Sequence, residues 1–209
     1  ADYVKEDENG APQVFNSISP NLFARVASGR AGCADITDLA DPTCANNQFD
    51  VGPFSTQGTY PTKSDLEGWG TSLTVDWDLG GVNLKSITAY RDLEWFASRD
   101  ADNTPFIILH TTNDDTAEQI SQEFQLSGDS FDNKLDWLLG AYYFEEKATD
   151  DYFVEITFGD FNTGGNIEND SVALFGQGTY GFTDKLSLTL GARYNEENKE
   201  FTPIQRAMT

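Results

Sequence analysis

The chain has 209 residues, 35 acidic and 13 basic side chains and a formal charge of −22, a balance that repels phosphate backbones and anionic headgroups and excludes nucleic acid as a partner. Its 13 % aromatic content separates it from acidic disordered chains, which are aromatic-poor, and its length allows one large β domain. No run of about 18 apolar residues provides a transmembrane helix, a condition that a β-barrel also meets, and no basic and apolar leader opens the chain, so a signal peptide is absent or removed.

Residues 1–67 carry little alternation and many Gly, Pro, Asn, Asp and Ser, the composition of a long irregular loop. Its two cysteines, Cys33 and Cys44, are the only ones in the sequence. Without a His or Cys cluster they make a poor zinc site, and an exposed loop in an oxidising compartment favours a disulfide. Closing so short a loop contributes roughly 2.5–3 kcal/mol through chain entropy.

Alternation begins with Trp69, Thr71, Leu73, Val75, Trp77 and Leu79 on one face and Gly70, Ser72, Thr74, Asp76 and Asp78 on the other. Gly80-Gly81 supplies the positive φ angles of a two-residue hairpin turn. The returning strand, Val82 to about Trp95, is apolar on both parities, so its periodicity leaves its faces unassigned. Residues 98–117 turn polar and acidic around Phe106-Ile107-Ile108-Leu109 and read as a loop. A strand with Ile120, Phe124 and Leu126 on one side follows, then a turn at 128–133, then Leu135, Trp137, Leu139, Ala141 and Tyr143 on one face. A second acidic loop is expected over 148–170.

The last hairpin, Ser171 to Glu197, is the clearest. Val172, Leu174, Tyr180 and Phe182 share a face before the turn, and Leu186, Leu188, Leu190, Ala192 and Tyr194 share one after it. Leu186 to Tyr194 rises roughly 26 Å at ~3.3 Å per residue, or about 20 Å of height at a ~40° tilt, close to the apolar band of an outer-membrane barrel. Leu186, Leu188, Leu190 and Tyr194 are therefore the expected lipid-facing residues. Gly176, Gly178 and Gly181 match a dinucleotide-binding Gly-x-Gly-x-x-Gly, but a period-two strand follows where that motif needs a helix, so no cofactor is assigned.

Tight turns thus alternate with long acidic connections, placing the two kinds at opposite rims, as outer-membrane barrels do. The competing reading is a soluble, secreted β-sandwich that binds glycan or calcium. For catalysis the chain offers one histidine, His110, read as an ordinary loop residue, and no Gly-x-Ser-x-Gly elbow; no enzyme activity and no catalytic residues are expected. The oxygen-rich stretches Asp100-Ala101-Asp102-Asn103 and Asn113-Asp114-Asp115 resemble hard-cation ligand sets but match no EF-hand spacing and read as solvated loops, so no metal site is assigned. Arg91, Glu123, Gln125 and Arg193 are candidates for a lumenal face.

Four stretches, LKSITAYRD at 84–92, ISQEFQLSG at 120–128, LDWLLGAYYFEE at 135–146 and LFGQGTYGFTDKLSLTLGARYNEE at 174–197, resemble the barrel portion of a TonB-dependent outer-membrane receptor. The resemblance implies an all-β, antiparallel up-and-down transmembrane barrel of about 22 strands, with a plug domain and TonB box. Neither plug nor TonB box is recognisable here. The expectation is an internal segment of about six strands: an extracellular loop over 1–67, then barrel strands over 68–209. The implied function is active import of a scarce solute (siderophore, cobalamin or oligosaccharide) across the outer membrane of a Gram-negative bacterium. Implied partners are outer-membrane lipid, the solute and, through the plug, the TonB energy-coupling complex.

Overall fold

Strands dominate because the alternating segments find each other in sequence order. The computed structural model describes residues 1–10 and 13–208. Its strands are β1 (Asp2–Glu8), β2 (Lys63–Asp78), β3 (Val82–Asp100), β4 (Leu109–Ser130), β5 (Leu135–Ile156), β6 (Gly159–Thr183) and β7 (Leu186–Met208). They form a single antiparallel sheet in the order β1 to β7, so the sheet is open and its outer strands do not meet. Up-and-down connectivity follows from the turns: Gly80 and Gly81 have φ of 78° and 102°, the left-handed values a hairpin of this kind needs.

Two sequence expectations change. The first concerns 1–67, which holds structure as well as loop. β1 pairs with β2 from Asp2↔Gly70 to Glu8↔Ser64, adding a seventh strand to the six expected. Its sequence, DYVKEDE, hides the strand because charge masks the alternation. What fixes it lies on its neighbours: Lys5 meets Glu67 at 2.9 Å and Asp2 meets Arg91 at 3.2 Å. A helix, α1 (Leu22–Ala31), follows. Asn21 caps it by accepting a hydrogen bond from the Ala24 amide at 2.9 Å, and Gly32 ends it at φ 95°. Cys33, directly after that end, is disulfide-bonded to Cys44.

The second change concerns the acidic regions 98–117 and 148–170, which are chiefly strand. β3 runs on to Asp100 and β4 starts at Leu109, leaving 101–108 as the connection; β5 and β6 are joined through Thr157 and Phe158 alone. Asp114 faces Asp151, and Asp115 faces Asp150, pairs that sequence rules penalise. Ladder hydrogen bonds set in register lower down continue through them, helped by Thr111, Thr112, Tyr152, Phe153 and Val154. With 22 residues, β5 is roughly 73 Å long at ~3.3 Å per residue, more than twice the ~30 Å of a bilayer core. The two rims therefore differ in how far the strands project, not in the length of every connection.

The small core sits at the projecting end. Ala24 and Ala27 of α1, Ala45 and Ile108 pack together, flanked by Ile18, Ile36 and Phe106. Phe23 stacks on Phe158 with ring centroids 5.0 Å apart, and the Arg30 guanidinium donates to the Thr157 carbonyl. Residues 13–62 are thus pinned to the tips of β3 to β6, away from the turns at 79–81, 131–134 and 184–185.

Candidate functional site

Directly paired residues of an antiparallel sheet project to the same face, so the register extends each face across all strands. Starting from Leu190, one row runs through Gly178, Trp137, Gly128 and Val82; starting from Tyr194, another runs through Leu174, Ala141, Phe124, Ser86 and Val75. Leu186, Leu188, Leu190 and Tyr194 therefore share a face with Leu84, Leu126 and Leu139, which resolves the strand whose periodicity left its faces unassigned. That face is bare: Leu73, Trp77, Leu174, Leu190 and Tyr194 are all above 60 % exposed. Its polar members satisfy one another, with Thr88 donating to Gln122 at 2.5 Å and Gln122 to Ser86 at 3.0 Å.

The tyrosines and tryptophans on this face lie on two oblique lines. The upper line passes through Trp69 on β2, Tyr90 on β3, Tyr143 on β5 and Tyr194 on β7, advancing from the row of Trp69 to the row of Val75 over five strand steps. At ~3.3 Å per residue and ~4.8 Å between strands this offset is a slope of about 40°. The lower line, through Trp77, Trp137 and Tyr180, slopes the same way.

The opposite face carries Glu123, Gln125 and Arg193 and, placed there by the register, Arg91. Gln125 donates to Glu123, Lys85 pairs with Asp76 at 3.3 Å, and Arg193 lies over the rings of Tyr142 (5.9 Å) and Phe175 (5.6 Å). Phe175 occupies this position because its cross-strand partner is Gly140: a Cβ there would stand 2.1 Å from the ring. Gly140→Ala should therefore tilt Phe175 off the sheet, loosen Arg193 and cost about 1–3 kcal/mol. Equilibrium unfolding of the variant in lipid vesicles checks this; an unchanged midpoint would show that the ring yields freely.

At the projecting rim the structure corrects the reading of His110. It is no loop residue but the second residue of β4, 3 % exposed, and it is register partner to Asp100, the last residue of β3. Its Nε2 lies 3.8 Å from Oδ2 of both Asp100 and Asp102, and its Nδ1 lies 3.2 Å from Glu155 Oε2. The Tyr60 ring stacks on the imidazole at 4.5 Å. Asp100 Oδ2 accepts from the Thr59 and Tyr60 amides (2.9 and 3.2 Å), and its Oδ1 accepts from the Asn103 amide (2.7 Å). Asp102 accepts from the Thr104 amide and hydroxyl and from the Ile108 and Leu109 amides. Even so, burial pushes the Asp102 carboxyl up, ahead of the hydrogen bonds that lower it. Sequence reasoning takes 100–103 for a solvated loop, whereas Asp100 is buried. It misses the partners because register alone brings 100, 110 and 155 together, while the Asp100 carboxylate holds the amides of 59 and 60.

The other acidic stretch does not form one site. Asp114 and Asp115 are consecutive strand residues and point to opposite faces. Asp115 is pushed up to about 6 from 3.8 by desolvation first and by the Asp150 carboxylate next. A raised carboxyl stabilises the folded state only while protonated, so stability falls as pH climbs from about 4 to about 6 and stays lowered above that. Asp115→Asn should unfold at higher urea than the parent above pH 6 and gain nothing below pH 4. A gain independent of pH would locate the effect elsewhere.

The family described as TonB dependent receptor-like, beta-barrel, matches residues 16–204. The fold is similar to the crystal structure of the ferric yersiniabactin uptake receptor FyuA from Yersinia pestis, with a TM-score of 0.57 at 11 % identity. That likeness covers 70 % of this chain and 26 % of the FyuA chain, so this chain spans about a quarter of that receptor. No curated protein matches the sequence.

Proposed function

The chain belongs to the TonB-dependent receptor β-barrel family of the Gram-negative outer membrane, and we propose that it is part of an active transporter that imports a scarce solute with energy from the TonB system. Within that reading Leu186, Leu188, Leu190 and Tyr194 face lipid, the Arg193 and Glu123 face lines the lumen, and residues 13–62 lie on the cell surface. A plug domain outside this chain would carry the contact with TonB.

The family match supports the transport reading, and the observation that carries the placement of the strands in the membrane is the slope of the two lines of tyrosine and tryptophan. A strand tilted by about 40° in a membrane must place its interface residues on oblique lines across the sheet, because a girdle is level with the membrane and not with the rows. Eight residues separate Trp69 from Trp77 along β2, roughly 20 Å of height at that tilt, close to the ~25 Å apolar band of outer-membrane barrels. A soluble sandwich would cover this face with a second sheet and would have no reason to order its tyrosines and tryptophans this way.

Uptake tests the proposal. Cells carrying the whole receptor should accumulate one member of a panel of labelled ferric siderophores, cobalamin and oligosaccharides. Accumulation should stop when a protonophore collapses the inner-membrane gradient, while surface binding persists. Accumulation indifferent to the gradient would reject active transport.

A further inference from the structure

Among the buried groups of the projecting rim, one polar atom has no partner. His110 Nε2 is buried and accepts or donates no hydrogen bond among the described residues, although the ring is fixed on both sides. Glu155 Oε2, 3.2 Å from Nδ1, holds the Nδ1 proton, and that leaves the Nε2 lone pair aimed at two carboxylate oxygens, Oδ2 of Asp100 and of Asp102. Each of these oxygens accepts two backbone amides, so the atom left without a partner is Nε2, buried with side chains 3–6 % exposed around it. A cation between the three would give it one. A proton on Nε2 would reach these oxygens only as an ion pair at 3.8 Å, beyond hydrogen-bond range, and would leave the N–H without an acceptor.

We propose that Asp100, Asp102 and His110 form a binding site for a divalent transition-metal ion of the zinc type. The three donor atoms lie within 4.8 Å of one another, with Nε2 3.8 Å from each oxygen. A point equidistant from all three is then roughly 2.0–2.5 Å from each, within a few tenths of an ångström of the ~2.0–2.2 Å bonds zinc makes to imidazole and carboxylate. An imidazole donor selects against calcium and magnesium, which take oxygen ligands.

The surroundings match those of a ligating histidine. Such a ring donates its other N–H to a carboxylate, and ligating carboxylates are themselves hydrogen-bonded. Glu155 fills the first role, and the amides of Thr59, Tyr60, Ile108 and Leu109 fill the second. Tyr60 closes one side of the ring. The ion would tie the end of β3, the 101–108 connection and β4 together and, through Thr59 and Tyr60, fasten the preceding segment to the rim. This inference stands apart from the transport reading.

The whole protein, purified in detergent and stripped with EDTA, should bind one zinc ion per chain in calorimetry, with the stoichiometry confirmed by metal analysis of the dialysed protein. His110→Gln should weaken binding at least 100-fold, and Glu155→Gln about 10–100-fold. Millimolar calcium should not displace the zinc. Assembly of each variant is checked by its mobility in unboiled gels; should His110→Gln fail to assemble, Glu155→Gln, whose carboxylate is 30 % exposed, decides alone. No retained zinc, zinc held equally by the parent and the assembled variants, or displacement by calcium overturns the proposal.

Discussion

Leu190→Arg should destabilise the assembled barrel by about 2–4 kcal/mol, Leu186→Arg by only about 0–1 kcal/mol, and Thr189→Arg by little more than the hydroxyl contact it loses. The ordering comes from depth. On β7 the upper aromatic line passes through Tyr194, and the lower line, which reaches Tyr180 on β6, continues toward Leu186, so in the proposed placement Leu190 would be central and Leu186 at the interface. A guanidinium at the centre must be dragged to water or drag water in; at the interface it reaches water directly. Thr189 lies on the other face, where Thr179 is its hydroxyl partner at 2.9 Å. Urea unfolding in vesicles measures all three. A soluble core would penalise the leucines by packing alone, so equal costs for Leu190→Arg and Leu186→Arg would remove the lipid assignment.

The strand segments that share the apolar face were legible in the sequence because a strand with one apolar and one polar face must alternate. Leu186 to Tyr194 and Trp69 to Leu79 each carry an unbroken period of two. Beyond those segments the strands are polar on both faces, alternation is lost, and the tips of β3 to β6 read as loops although they continue the same ladder. β1 escaped for a related reason: it is charged, and its place is dictated by Glu67 and Arg91 on its neighbours. Helix α1 did leave a signal in Asn21 and Gly32, a capping residue and a left-handed terminator that flank its 10 residues, but its buried face is made only of Ala24, Ala27 and Ser28. That is too little contrast for a hydrophobic period to show.

The disulfide was legible from the cysteine count and is present. The rim cluster was not, since no local motif links Tyr60, Asp100, His110 and Glu155. Asp100 and His110 meet because the β3–β4 register makes them partners, and that register is set by apolar rows far below them. Residue identity supplied the donors; topology supplied the site.

Asp102→Ala should release the 101–108 connection while leaving the barrel assembled. The Asp102 carboxylate accepts four hydrogen bonds, from the Thr104 amide (3.0 Å) and hydroxyl (2.5 Å) and from the amides of Ile108 (3.1 Å) and Leu109 (2.8 Å). Thr104 and Ile108 are buried, so truncation strands donors that water does not reach, at a cost of about 3–5 kcal/mol. The connection has an easier response than unfolding: it opens. Hydrogen exchange at the Ile108 and Leu109 amides should then accelerate by about 10²–10³-fold, with exchange at Leu126 and Leu139, paired far down β4 and β5, unchanged. Asp102→Asn keeps one carbonyl oxygen as acceptor and should give a smaller acceleration. Removing all of 98–117 is a different operation, because it takes away paired ends of β3 and β4 and should disturb register as well as the rim. If the rim takes part in capture, Asp102→Ala weakens solute binding at the cell surface without lowering receptor abundance. Unchanged exchange at Ile108 and Leu109 would mean that the carboxylate does not hold the connection.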